Sequence, residues 1–189
     1  MIKEKVDLRD LILAIVAFNK RVEGRTFLQK LAYFLNEKLT LGINFEPYFY
    51  GPYSESLALT TNTLVELDFL EELEERFPSN STDIFEQRRY IYKLTKAGNK
   101  IFAELNRQNL PWLNEVKKSI ANITAKQDCN YECLSLSAKM YHILKRQQRP
   151  MTETELSLAA EELSWKLSKE KVERAAKFLK DLELIKQVS

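Results

Sequence analysis

Four glycines and five prolines in 189 residues leave this chain few places to turn sharply, and that scarcity constrains its fold more than any other feature. A loop-rich β-sandwich or a glycine-lined phosphate cradle needs many more. Between these breakers the apolar residues recur every three or four positions, as they do on a buried helix face. Leu8, Leu11, Ile12, Ile15, Val16 and Phe18 form the first such stripe. Hydrophobic residues make up 44% and charged residues 30%, the balance of a soluble globular protein and not of a disordered one. The length suits one ordinary domain or two small ones.

The first stripe predicts a helix ending near Val22–Glu23–Gly24. Thr26 can cap a second helix through Phe27, Leu28, Leu31, Ala32, Phe34 and Leu35, which stops before Gly42. The aromatic run Phe45 to Tyr53 is broken by Pro47, Gly51 and Pro52. Proline disfavours the helical conformation of the residue before it, so an extended piece and a turn are expected. Ser54 is placed to cap a third helix carrying Leu57, Leu64, Leu67 and Leu70. Leu70 to Leu73 and Tyr90 to Leu94 then read as two strands, with Pro78 to Asp83 at the tip, and a helix follows from Lys96. Three helices followed by a β-ribbon is the plan of a winged-helix domain.

The rest of the chain reads as helices. One carries Trp112, Leu113, Val116, Ile120 and Ile123, and another runs from Leu134 to Arg146 and is broken by Pro150. Thr152 and Glu155 match a capping box. Ser168 is placed to cap a last helix with Val172, Ala175, Ala176, Leu179 and Leu182, and Leu184 to Val188 reads as a terminal strand. The expected fold is mainly α with a small β wing. It divides into a winged-helix-like module over residues 1–108, a connector helix over 109–128 and a helical, helix-turn-helix-like module over 129–189.

The residues from Gly24 to Leu35, GRTFLQKLAYFL, followed by FEPYFYGPYSESL from Phe45 to Leu57, resemble the YwgA-like family of uncharacterised bacterial and archaeal proteins. They are more remotely similar to the Panacea, or SocA-like, antitoxin domain. The likeness covers about the first 105 residues and rests on a Leu-Gln-Lys helix followed by a Tyr-Gly-Pro segment. It implies a helical, winged-helix-like module from a regulatory or defence setting.

Around that motif, Arg25, Gln29, Lys30, Tyr33, Tyr50 and Ser54 can form a polar pocket or a groove for a partner, with Gly51 and Tyr53 completing the corner. Arg25, at a helix start, can hold an anion with free N–H groups. The plainer reading makes Tyr50–Gly51–Pro52 a rigid corner whose tyrosines pack and cap.

Charge separates the two halves of the sequence. Residues 1–105 hold 14 basic and 16 acidic side chains, and residues 106–189 hold 15 and 11. The third helix, from Ser54 to Leu67, has no Lys or Arg, so duplex recognition by the first half is disfavoured. Nucleic-acid contact, if any, falls to Lys169, Lys171, Arg174, Lys177 and Lys180 on the last helix, where interleaved acids also suit an ordinary solvated face.

An enzyme is not expected. No GxSxG, HExxH or P-loop motif occurs, His142 is the one histidine, and it reads as a helix-surface or partly packed residue. One His and two Cys offer at most three such metal ligands, and no cofactor or metal is expected. Cys129 and Cys133 read as ordinary thiols. The apolar run Leu11 to Phe18 is too short for a signal peptide or a membrane span, so a cytoplasmic location is expected. The expected function is a non-enzymatic winged-helix regulator or adaptor with a protein partner. DNA contact through the last helix and a homodimer contact through the connector helix are open. Two alternatives stand beside it: a ligand sensor or enzyme with a pocket at the Tyr50–Gly51–Pro52 corner, and an antitoxin-like protein-binding module.

Overall fold

The computed structural model describes residues 6–76, 88–126 and 130–185. The expected ribbon tip at Pro78 to Asp83, Cys129, and the end of the expected terminal strand lie outside the described residues. Eight helices and one three-stranded antiparallel sheet are found among them. No helix is long and apolar enough to cross a membrane among the described residues. The chain groups into two compact units: Met1–Leu28 with Glu55–Ile120, and Gln29–Ser54 with Ala121–Ser189. A division running straight along the sequence assigns residues 29–54 to the first module, whereas their contacts place them with the second unit.

In the first unit, α1 (Leu8–Asn19) is capped by Asp7, whose carboxylate accepts from the Arg9 N–H at 2.8 Å. Its residues Leu11 to Val16 are buried on every side, because α1 packs against α3 (Glu55–Glu66), α4 (Lys96–Arg107) and the sheet. Phe18 meets Phe102 of α4 edge-on, with centroids 5.3 Å apart. The helix does not reach Val22–Glu23 as expected. It stops at Asn19, where Lys20 takes a left-handed φ of 62°, and Val22–Glu23 instead forms β1. Val22 is β-branched and fully buried, so it fits a pleated position better than a helix end.

The sheet order is β1-β3-β2, with β2 at Leu70–Arg76 and β3 at Arg88–Leu94. Leu70 faces Leu94, Leu73 faces Ile91 and Val22 faces Tyr92. On its charged side, Arg89 pairs with both Glu23 and Glu75 at 2.7 Å, and Arg21 reaches Glu75 at 3.0 Å. Opposite charges thus bridge all three strands. α3 ends at Glu66, which leaves Leu67 exposed and gives Leu70 to β2, so neither belongs to the helical stripe expected for them. α2 (Arg25–Leu39) starts directly after Gly24 and not from a Thr26 cap. Gly24 has φ +104° and donates to Tyr90 O at 2.7 Å, which turns the chain from β1 into the helix.

α5 (Pro111–Thr124) has proline at its first position, where a missing N–H costs nothing. Leu113, Val116, Ile120 and Ile123 are all buried.

In the second unit, α6 (Tyr131–Gln147), α7 (Glu153–Glu162) and α8 (Lys169–Asp181) pack together. Phe34 of α2 meets Phe178 of α8 at 5.9 Å, and Trp165 is buried. The Thr152–Glu155 capping box is formed in both directions. Ser168 sits at the N-cap of α8, but its side chain makes no capping bond. Leu184 and Ile185 lie in no strand, since Leu182 is already buried and the chain turns at Glu183, φ 60°.

Candidate functional site

The aromatic segment forms the corner that its prolines and glycine predict. Glu46 and Tyr53 exchange two backbone hydrogen bonds, at 2.9 and 2.8 Å, and Gly51 closes the turn by donating to Tyr48 O at 3.0 Å. Gly51 has φ +101°, a conformation other residues rarely adopt. A Cβ there would also lie 3.0 Å from Lys139 Cγ and 3.3 Å from Lys30 Cε. The inside of the corner is therefore filled by two lysine stems, whose methylenes pack as apolar groups do.

Alternate carbonyls along the corner, those of Tyr48, Tyr50, Pro52 and Ser54, have a buried or half-buried donor. Trp165 Nε1 donates to Tyr48 O at 2.7 Å, Ser135 Oγ to Tyr50 O at 3.4 Å and Lys30 Nζ to Pro52 O at 2.7 Å. Gln29 binds Ser54 twice: its amide donates to Ser54 O at 3.0 Å and its carbonyl accepts from Ser54 N at 2.9 Å. Gln29 and Lys30, adjacent on α2, thus serve as clamps for the corner's backbone. The Leu-Gln-Lys and Tyr-Gly-Pro elements of the sequence motif meet through these bonds.

Lys30 is only 2% exposed, and no carboxylate pairs with it among the described residues. Burial, followed by repulsion from Lys139, brings its ammonium down to about 7. Lys139 is itself lowered, by burial and then by Lys171. On the outside, Tyr48, Phe49 and Tyr50 are 52%, 73% and 40% exposed. Tyr48 stacks against Phe49 at 4.9 Å and against Tyr53 at 5.0 Å.

The structure therefore brings Gln29, Lys30, Gly51 and Ser54 together, with Tyr50 and Tyr53 on the same loop. Arg25 is engaged elsewhere, in the first unit. Its guanidinium donates to both Glu72 oxygens, at 3.0 and 3.1 Å, and to Tyr92 OH at 3.1 Å, and it stacks over Tyr90 at 3.8 Å. Tyr92 donates in turn to Glu72. These bonds hold β2 and β3 to the start of α2. Tyr33 lies one turn beyond the clamp and lines a separate cleft. His142 is half-buried, and burial lowers its imidazole below the ordinary value. The sequence reading passed over Trp165, Ser135 and Lys139, which lie far along the chain from the motif and carry no local signal for it.

On α8, Lys169 lies 3.7 Å from Glu153 and Arg174 lies 3.2 Å from Glu132. Lys171 is half-buried beside Lys139. Lys177 and Lys180 are exposed and make no ion pair among the described residues. Compared with protein-family models and with curated proteins, the chain matches none.

Proposed function

We propose that this chain is a non-enzymatic adaptor or regulator of winged-helix type, akin to the YwgA-like proteins, and that it binds a protein partner through the turn Tyr48–Phe49–Tyr50. One observation carries the reading: three consecutive aromatic side chains are exposed on a turn whose backbone is clamped from inside. Aromatic residues are the commonest anchors of protein interfaces. A clamped turn loses little conformational freedom on docking, so more of the contact energy appears as affinity. The winged-helix part of the proposal draws on the element order, three helices and then a ribbon, and on the antiparallel pairing of β1 with β3. α3 carries Glu55 and Glu66 and no Lys or Arg, which favours a protein partner over duplex DNA for that module. A ligand pocket inside the corner is less favoured, because lysine stems fill it.

The test is a Tyr48→Ala/Phe49→Ala variant. Both side chains are exposed, so its melting temperature should match the parent's. A partner isolated by cross-linking and then purified should bind the variant at least tenfold more weakly, a loss of about 1.4 kcal/mol or more. Equal affinity would remove the turn from the interface. DNA binding through α8 is a second reading, favoured by Lys177 and Lys180, which are exposed and make no ion pair among the described residues.

A further inference from the structure

Two helix faces of the second unit converge on a cleft that the corner does not use. Tyr33, Asn36 and Glu37 stand at i, i+3 and i+4 on α2, and His142, Lys145 and Arg146 repeat that spacing on α6. With Ile43, Asn44 and Phe45 they line a cleft of about 280 Å³.

Most of its charge is internally matched. Lys145 donates to Glu37 at 2.7 Å, and the Glu37 side chain is only 7% exposed. Asn36 adds a second bond to Glu37 at 3.3 Å. Arg146 makes no ion pair among the described residues, so the cleft keeps one positive charge to offer.

Two of the residues that line it carry buried polar atoms without partners among the described residues. Tyr33 is 2% exposed, and neither its OH nor His142 Nε2 has a hydrogen-bond partner among the described residues. Buried polar groups rarely go unmatched, and those without a protein partner find one in a ligand or in solvent. Burial, followed by the Glu37 charge, pushes the Tyr33 phenol up, so it stays a donor at neutral pH. Burial, followed by Arg146, lowers the His142 imidazole below its ordinary value. The surroundings of these two atoms are flat and aromatic: Phe45 meets Tyr33 edge-on at 5.2 Å, and the His142 ring is 6.4 Å away.

We propose that this cleft binds a small aromatic carboxylate, with its carboxylate on Arg146 and a polar ring substituent at Tyr33 OH and His142 Nε2. The volume lies just below the range of drug-sized ligand sites and suits a single substituted ring. One unpaired guanidinium matches the two oxygens of a carboxylate. A phosphoryl group would call for more cations. This site is independent of the exposed aromatic turn.

Isothermal titration of the full chain with 4-hydroxybenzoate, benzoate and 4-hydroxybenzamide tests it. The hydroxy acid should bind saturably, and the neutral amide about tenfold more weakly or worse. Arg146→Gln should cost about tenfold for both acids. Tyr33→Phe should cost about tenfold for 4-hydroxybenzoate, leave benzoate unchanged and not lower the melting temperature, since the hydroxyl has no hydrogen-bond partner to lose among the described residues. Three results would overturn the assignment: no saturable binding of either acid at millimolar concentration, equal binding of acid and amide, or full affinity for 4-hydroxybenzoate in either variant. A lower melting temperature for Tyr33→Phe would show that the hydroxyl is structural and would overturn its role as a ligand donor.

Discussion

Lys30 is buried with one carbonyl as its polar partner, an arrangement that disfavours the charged form. In the folded chain its ammonium titrates at about 7, against an ordinary value of 10.5. Between those two values the unfolded chain binds the extra proton and the native chain does not. Stability therefore rises with pH across that window, by up to about 1.4 kcal/mol per pH unit. Below about pH 7 both states hold the proton and the cost of burial is felt in full. Lys30→Met keeps the packing volume and removes the titration, so its urea midpoint should change less with pH from 7 to 10 than the parent's. Parallel curves for the two proteins would rule out this account of Lys30. Gly98 presents a steric case. A Cβ on it would lie 2.0 Å from the Phe69 carbonyl oxygen, which is backbone and cannot swing aside. Helix propensity favours Ala over Gly by about 1 kcal/mol. Overpacking of this kind costs about 3 kcal/mol. Gly98→Ala should therefore lose about 2 kcal/mol in denaturant unfolding, and a stabilised variant would contradict the close approach of α4 to the start of β2.

Single elements were most legible where the signal is local. The capping box at Thr152 and Glu155 is a reciprocal pair within one turn, and it forms as the spacing requires. The Arg149 and Thr152 bonds hold the Glu155 carboxyl down to about 2. The box is thus complete above the ordinary carboxyl range and is lost as pH falls towards about 2. Thr152→Ala should cost about 1 kcal/mol, read as faster amide exchange in the first turn of α7. Unchanged exchange there would mean that the box contributes nothing. The ribbon was legible in the alternation of Arg89 to Thr95. β1 was not, because two residues cannot show a period, and Val22 is a strand residue only because β3 lies beside it. Ser168 shows the converse: it holds the capping position without the capping bond.

Charge reads differently once the units are known. Counted along the sequence, the halves carry −2 and +4. Counted by unit, the first has 15 basic and 15 acidic residues and the second has 14 and 12, so the units stand at zero and +2. The asymmetry that pointed to nucleic acid is therefore weaker at the scale of the folded molecule. On α8, ion pairs engage Lys169 and Arg174 and leave Lys177 and Lys180. If α8 meets duplex DNA through those two alone, log K against log salt should fall with a slope of about −2. Lys177→Glu/Lys180→Glu should abolish the binding. A slope several times steeper, or a double variant that binds equally well, would place the contact elsewhere.

The sequence by itself determined the helical composition, the ribbon, the corner at Gly51 and the capping box. Each depends on residues within a turn or two of one another. It also singled out Gln29, Lys30, Gly51 and Ser54, because they lie in one motif. Only the tertiary structure decided what those residues do, since a donor finds its acceptor through space. It committed Arg25 to Glu72, filled the corner with Lys139 and clamped it with Trp165. It also brought His142 and Arg146 across from Tyr33, more than a hundred residues away in the chain. The scarcity of glycine and proline set where the chain turns. Which helix faces meet after the turns depends on burial summed over the folded unit, and no local pattern records that sum.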